Sequence, residues 1–423
     1  MTYLFIAFVV LLALGVPIAF ALGLAGMVGI VDQDLRLVSA PTRMFTGIDS
    51  FILLSAPFYI LAGEVMNRGG VTERLIRVAR FVTHGLRGGA AYANTVASII
   101  FAGISGTAIA DTAALGQVFI KGMPKEGYTR EFAAAVTVAG SMIGPIIPPS
   151  VIMIIFAAVS RVSVIDLFLA GVVPGLLLAA SVAVVIFVIG RRSGLPVSKI
   201  DVKRHEVPRM ALETLLVVSL PLFIVVGTLS GAFTATEAGG MAAVYAILLG
   251  FFVFRNLDLK ALWSALVISA GTTSSLFLII AAATVVSYVL ALTGVNQLVG
   301  GLAEVFGGDP ILFMLAVMAS LLVVGCFLEP GAAIVLFTPL LFPVARGMGI
   351  DPLQFAMLMV LTLTMGLITP PVGVCLFVAC RIGDISISKL VRALAPFFIA
   401  ELCVIILIIF IPGLSSWLPG LFH

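Results

Sequence analysis

The stretch Gly144-Pro145-Ile146-Ile147-Pro148-Pro149-Ser150 lies inside an apolar run from Glu131 to Ser160 and limits the possible folds more than any other segment. Proline lacks the N–H that would continue a helix, its ring clashes with the preceding turn, and the residue before it is driven out of the α region. In a bilayer such a break survives only where the freed carbonyls face protein, an ion or a water-filled cavity. The same break recurs as Gly366-Leu367-Ile368-Thr369-Pro370-Pro371-Val372-Gly373, 222 residues further on. At that same offset Gly103, in Gly103-Ile104-Ser105-Gly106-Thr107, falls on Gly325, in Gly325-Cys326-Phe327-Leu328-Glu329-Pro330-Gly331. Two unrelated proline kinks would not share an offset with two glycine-rich interruptions. Corresponding Gly/Pro breaks in two halves of a chain mark the binding site of a secondary transporter.

The rest of the chain agrees with a membrane setting. Of 423 residues 61% are hydrophobic and only 10% charged, against about 25% charged in ordinary soluble domains. No polar stretch approaches domain size, so residues 1–423 read as one integral-membrane domain. Windows long enough to cross a bilayer fall near 3–30, 51–67, 131–160, 164–189, 210–230, 237–254, 261–291, 352–380 and 393–411. Two more, 89–120 and 310–345, carry the glycine-rich breaks at their middles. They are expected to form re-entrant helical hairpins; the other reading is a pair of full spans joined by a tight turn. Residues 1–31 lack a basic leader and exceed the length of a signal h-region, so they read as a retained first span. Cys326, Cys375, Cys380 and Cys403 sit in apolar segments without metal-ligand spacing and read as small core residues.

The placement of lysine and arginine orients the chain. Five loops fall on one face and hold 19 of the 23 basic residues, leaving Arg36, Arg43, Arg161 and Arg346 on the other. The basic face is cytoplasmic, which puts the N-terminus inside and the C-terminus outside. The first repeat then covers 1–190, a cytoplasmic loop and connecting span cover 191–236, and the second repeat covers 237–411. One connecting span inverts the second repeat relative to the first, which suits alternating access. The expected fold class is an all-α polytopic membrane protein with inverted repeats, two re-entrant hairpins and two broken helices (131–160 and 352–380). The amphipathic stretch Val71–Arg87 is expected along the cytoplasmic interface.

The breaks also suggest chemistry. Broken helix ends present carbonyls at the negative pole of the helix dipole, and Ser105 and Thr107 add hydroxyl oxygens. That cage suits a hard cation such as Na+, while facing half-helix N-termini offer N–H groups to an anion. One cation site per half is expected, the first at Ser105, Gly106, Thr107, Ser141 and Gly144. The second would use Gly325, Glu329, Gly331, Thr364, Gly366 and Thr369. An anionic substrate is expected against Ser105, Thr107, Pro148, Pro149, Ser150, Thr369, Pro370, Pro371 and Gly373. Each hydroxyl alone has the alternative of bonding back to its own helix. Asp111 and Glu329 are intramembrane carboxylates; each serves either as a helix cap or as part of the site. Glu64, Glu213 and Glu401 lie near window ends and receive no role.

Other functions fit less well. Gly103-Ile104-Ser105-Gly106 matches the Gly-x-Ser-Gly of intramembrane serine proteases, but those need a histidine base on a neighbouring membrane helix. His84, His205 and His423 all lie in loops or at the tail. There is no phosphate-binding loop, dinucleotide fingerprint or His/Cys metal spacing, so neither ATP hydrolysis nor an organic cofactor is encoded. Channels usually draw their symmetry from identical subunits, and a purely structural subunit gives no reason for matched breaks.

With the breaks placed, the chain closely resembles the large membrane subunit of tripartite ATP-independent periplasmic (TRAP) transporters. The likeness is strongest at Gly103–Thr112, Gly140–Ser150, Glu329–Pro339 and Gly366–Gly373. The resemblance implies Na+-driven import of an organic acid by an elevator motion. It also implies two partners, a soluble periplasmic substrate-binding protein and a small four-helix membrane subunit expected as a separate chain. Membrane lipid and the carboxylate substrate complete the list, with no nucleic acid. The alternative is a stand-alone ion-coupled carboxylate carrier that needs no binding protein.

Overall fold

Each apolar window folds as helix, and the paired Gly and Pro-Pro breaks end helices, whereas Pro174, Pro221, Pro339, Pro343 and Pro396 lie inside continuous ones. The computed structural model describes residues 2–197, 207–292, 301 and 306–422; Lys199, Lys203, Arg204, His205 and His423 lie outside them. The first half contains α1 (Thr2–Ala13), α2 (Ile18–Asp32), α3 (Ser39–Ile48), α4 (Ser55–Arg68) and α5 (Val71–Val82). It continues with α6 (Gly89–Ser105), α7 (Ala108–Gly122), α8 (Arg130–Ser141), α9 (Val151–Ser160) and α10 (Val164–Ser193). Helix α11 (Val207–Leu229) connects to α12 (Ala235–Leu248), α13 (Leu259–Leu292), α14 (Pro310–Gly325) and α15 (Pro330–Gly347). The chain ends with α16 (Pro352–Gly366), α17 (Val374–Gly383), α18 (Ile387–Phe410) and α19 (Gly413–Gly420). Six helices among the described residues are long and apolar enough to cross a membrane: Val164–Arg192, Val207–Leu229, Ala235–Val253, Leu259–Leu292, Pro330–Gly347 and Ile387–Phe410.

The window 3–30 is not the single span its uniform hydropathy suggests. Gly15 adopts φ 78°, Pro17 has no N–H to give, and α1 folds back on α2 with Leu4 beside Gly29. The N-terminus therefore lies at the Asp32 end of α2. The stretch Val71–Arg87 is helical only to Val82, and it buries Val71, Thr72, Leu75, Ile76 and Ala79. Its polar side is pinned by ion pairs, Arg74 to Glu213 of α11 at 3.4 Å and Arg80 to Glu126 at 2.8 Å.

Packing repeats between the halves at the same offset as the breaks. Helix α2 packs on α13 and α4 on α12, and the offset carries α2 onto α12 and α4 onto α13. Small residues allow these close approaches: Gly26 lies against Val285, and Gly239 against Tyr59 and the Ser55 carbonyl. The Tyr59 hydroxyl donates to the Ala235 carbonyl at 3.0 Å, and Thr236 donates to the Phe51 carbonyl at 2.9 Å. Among the broken elements the halves cross over. Helix α7 packs on α17, its counterpart α15 packs on α9, and α18 on α8 answers α10 on α16.

Candidate functional site

Two small residues make the first hairpin's turn. Gly106 ends α6 at φ 62°, a left-handed conformation that favours glycine. A Cβ there would also lie 2.9 Å from the Pro149 carbonyl oxygen. The tip therefore rests directly on the Pro-Pro break, where α8 ends at Ser141 and α9 starts at Val151. Ser150 caps α9, accepting from the Met153 N–H at 3.3 Å, and its hydroxyl donates to the Pro145 carbonyl. Both Pro-Pro peptide bonds, 148–149 and 370–371, are cis.

The second half repeats this contact with bare backbone. Gly325 at the end of α14 lies against Gly366 at the end of α16, and a Cβ on Gly366 would overlap the Gly325 Cα, carbonyl carbon and oxygen. Past the break, the Cys375 N–H closes onto the Leu367 carbonyl at 3.1 Å, and Thr369 donates to the Met365 carbonyl at 2.7 Å. The breaks differ in cover: Pro148, Pro149 and Ser150 are buried, whereas Pro370 and Pro371 are exposed.

Asp111 resolves its sequence ambiguity. Its carboxylate is fully buried in the first turn of α7 and caps nothing, the N-cap being Thr107. One oxygen accepts from the Ser105 hydroxyl. The other has no partner among the described residues and points at Gly144, where a Cβ would strike it. Ser141 lies at the same break, its hydroxyl proton given to the Val138 carbonyl at 2.7 Å, which leaves its lone pairs free. Ser105, Asp111, Ser141 and Gly144 thus form one all-oxygen cluster with an orphaned carboxylate atom, a donor set that fits a hard monovalent cation. An unpaired buried charge is costly, and a bound cation would remove that cost. Glu329 is employed differently. It caps α15, accepting from the Ala332 N–H at 3.1 Å, so its carboxylate already has a backbone partner. Thr364 also bonds back, to the Val360 carbonyl at 2.6 Å.

Between the tips lies a cavity of about 550 Å³. Ser105, Thr107 and Ala108 of the first hairpin line it, as do Glu329 and Pro330 of the second, Val151 just past the first break and Leu367 at the start of the second, and Glu64 and Asn67 of α4. Thr272 and Ser275 of α13 complete a polar patch on its wall. The cavity thus takes in Ser105, Thr107 and Glu329 from the expected site, while Pro148, Pro149, Ser150, Thr369, Pro370, Pro371 and Gly373 are not on its lining. Glu64, Asn67, Thr272 and Ser275 were not anticipated; the polar run Thr272-Thr273-Ser274-Ser275 in mid-window was the available signal. Glu64 is held by Arg68 at 2.7 Å, one helical turn on.

Comparison with known proteins agrees with this architecture. The family model for the tripartite ATP-independent periplasmic transporter, DctM component, matches residues 5–414. The C4-dicarboxylate TRAP transporter large permease protein DctM of Pseudomonas aeruginosa is 37% identical over 95% of this chain and 94% of its own. The sialic acid TRAP transporter large permease protein SiaM of Vibrio cholerae is 34% identical over 97% and 96%. Among solved structures, the YdaH transporter of Alcanivorax borkumensis superposes with a TM-score of 0.66 at 13% identity, covering 90% of this chain and 88% of its own. At that identity the likeness is one of fold.

Proposed function

Because the chain belongs to the DctM component family of tripartite ATP-independent periplasmic transporters, we propose that it is the large permease of a Na+-driven importer of an organic acid. The observation that carries this reading is the convergence of both hairpin tips on one 550 Å³ cavity. Its relatives are named for sialic acid and C4-dicarboxylates, both carboxylates, which favours a substrate of that class. Among the described residues the cavity lining holds Glu329 and Glu64, the latter paired with Arg68 at 2.7 Å, and no lysine or arginine. An anion is favoured beside the Glu329 carboxylate only when a cation enters with it, which supports coupling to Na+.

The first cation is held by Ser105, Asp111, Ser141 and carbonyls near Gly144. The second is held by carbonyls around Gly325 and Gly366 with Thr364 and Thr369. The moving body comprises both hairpins and both broken helices, and it slides as an elevator against a frame of α2, α4, α12 and α13. The hairpin arms have 15 to 18 residues, or about 22–27 Å at 1.5 Å per residue. The three arms of 15 to 17 residues, α6, α7 and α14, fall short of the roughly 30 Å hydrocarbon core, which favours re-entrant hairpins, while α15 with 18 residues is long enough to cross. With the basic loops inside, the fold-back of α1 on α2 favours a periplasmic N-terminus on the Asp32 side over the cytoplasmic one expected from a single first span. A periplasmic binding protein delivers the acid, and a small membrane subunit completes the frame in the bacterial inner membrane.

Uptake into vesicles that hold the chain with both partners tests the proposal. An organic acid should accumulate only with an inward Na+ gradient and with the binding protein outside. Uptake that persists without the binding protein would favour a stand-alone carrier, and uptake indifferent to Na+ would remove the coupling.

A further inference from the structure

Glu401 lies well inside α18 and is almost completely buried. Among the described residues it is the only buried carboxylate with no hydrogen-bond partner for either oxygen. Packing fixes its depth. The Gln354 amide, in the first turn of α16, donates to the Ile408 and Ile409 carbonyls in the last turn of α18, at 2.9 Å each. Helices that pack along each other from those two ends run antiparallel, so Glu401 stands level with Leu361 and Thr362. Thr362 is fully buried and its hydroxyl has no partner either. On the other side, Phe397 of α18 meets Phe132 of α8 with ring centroids 6.1 Å apart. Both helices start at the basic, cytoplasmic face, α8 at Arg130 and α18 beside Lys389 and Arg392. They therefore run parallel, and Glu401 is level with Val136.

Both neighbours end soon after that level, α16 at Gly366 and α8 at Ser141. At 1.5 Å per residue the two ends are about 6 and 7.5 Å further along. Each presents the negative pole of a helix dipole, so the field from both sides opposes a negative charge at Glu401. No basic side chain offsets it. Helix α18 packs on α8, α10, α14, α16 and α17, whose charged groups stand in terminal turns or caps. They are Arg130 and Glu131 of α8, Asp166, Arg191 and Arg192 of α10, and Arg381 of α17, with Asp309 and Asp351 capping α14 and α16. Cys375 and Cys380 of α17 are the other titratable groups on these helices. On α18 itself Arg392 is about 13 Å back along the axis.

An unpaired charge in such a place is costly. A metal ion would need more oxygens than one carboxylate and one hydroxyl supply, and the carbonyls of α8 and α16 at this level are spent within their own helices. A proton needs no such shell. It removes the charge and creates an O–H donor, for which the Thr362 oxygen is an acceptor at the same level. We propose that Glu401 is a proton-binding site set between the two broken helices, so that α18 holds a neutral acid against α8 and α16. Its oxygens are not among those assigned to the cations above.

The test compares wild type with Glu401→Gln, which keeps the shape and is neutral at every pH, in the complete transporter. Infrared absorption should show a carboxylic-acid C=O band in wild type that is missing from Glu401→Gln. The folded chain holds a proton that an unfolded glutamate releases at neutral pH, so stability falls as pH rises. The folding equilibrium of wild type should therefore drop relative to Glu401→Gln by about tenfold for each pH unit between about pH 5 and 8, read from thermal melting. Uptake by Glu401→Gln at about pH 6 should match wild type, with the same half-saturating Na+ concentration. A spectrum without that band overturns the assignment, as do parallel melting profiles across pH. A Glu401→Gln chain that fails to fold or transport where wild type succeeds also overturns it, because the carboxylate is then needed as a charge. None of these results bears on whether uptake by wild type requires Na+.

Discussion

Gly366→Ala tests the closest backbone approach in the fold. The three atoms nearest an added Cβ are the Gly325 Cα, carbonyl carbon and carbonyl oxygen, all of them backbone. No side chain can rotate out of the way, so the end of α14 or the end of α16 must move. Overpacking typically costs about 1–3 kcal/mol, and a rigid neighbour places this site near the upper end, at about 3 kcal/mol. Gly103, the counterpart of Gly325, gives a graded comparison. A Cβ there meets Pro221 side-chain atoms at 3.0 Å and the Pro148 carbonyl at 3.4 Å, which smaller shifts relieve, so about 1 kcal/mol is expected. Gly240 of α12 is the control, with nothing within 4 Å; alanine there should gain up to about 1 kcal/mol from helix propensity. Melting of the purified complex should therefore rank Gly240→Ala at or above wild type, then Gly103→Ala, then Gly366→Ala, with uptake failing in the last. If Gly366→Ala melts with wild type and transports normally, the close contact of Gly325 with Gly366 is wrong.

Asp111→Asn keeps the shape but removes the charge, so the half-saturating Na+ concentration should rise by about tenfold or more, the effect of about 1.4 kcal/mol; an unchanged Na+ response in uptake would exclude Asp111 as a ligand. Arg74 donates to the Gly70 carbonyl at 2.9 Å and pairs with Glu213 at 3.4 Å, both partners being mostly buried. Arg74→Ala should cost about 1–3 kcal/mol in thermal unfolding by leaving that carboxylate without its mostly buried partner, although Arg209 also contacts Glu213. Thr234 and Glu237 form a reciprocal capping box at the start of α12, with N–H contacts of 2.8 and 3.3 Å. Thr234→Ala should lower stability by about 1 kcal/mol, seen as a lower melting temperature with uptake per folded molecule retained.

Much of the fold was legible because proline and glycine act locally. Single prolines such as Pro174 and Pro221 lie inside continuous helices, but the Pro148-Pro149 and Pro370-Pro371 pairs and the glycines at Gly106 and Gly325 mark helix ends, so the broken windows could be found without knowing what packs on them. The split at Gly15-Val16-Pro17 used the same residue types, but it lay in a run whose hydropathy matches that of a single span. Partners across the halves were hidden, because which arm meets which is decided by packing between residues well over a hundred and fifty positions apart. The carboxylates of the two hairpin tips show where local reading stops. Glu329 immediately precedes Pro330, and a carboxylate just ahead of a proline at the first helical position is placed to cap the free N–H groups, as it does. Asp111 stands four residues past Thr107, beyond the reach of an N-cap. Its carboxylate must find a partner outside its own helix, and Ser105 satisfies only one of its oxygens. The remaining oxygen, aimed at the break beside Gly144, makes a demand that the described protein atoms leave unmet and that a cation would meet.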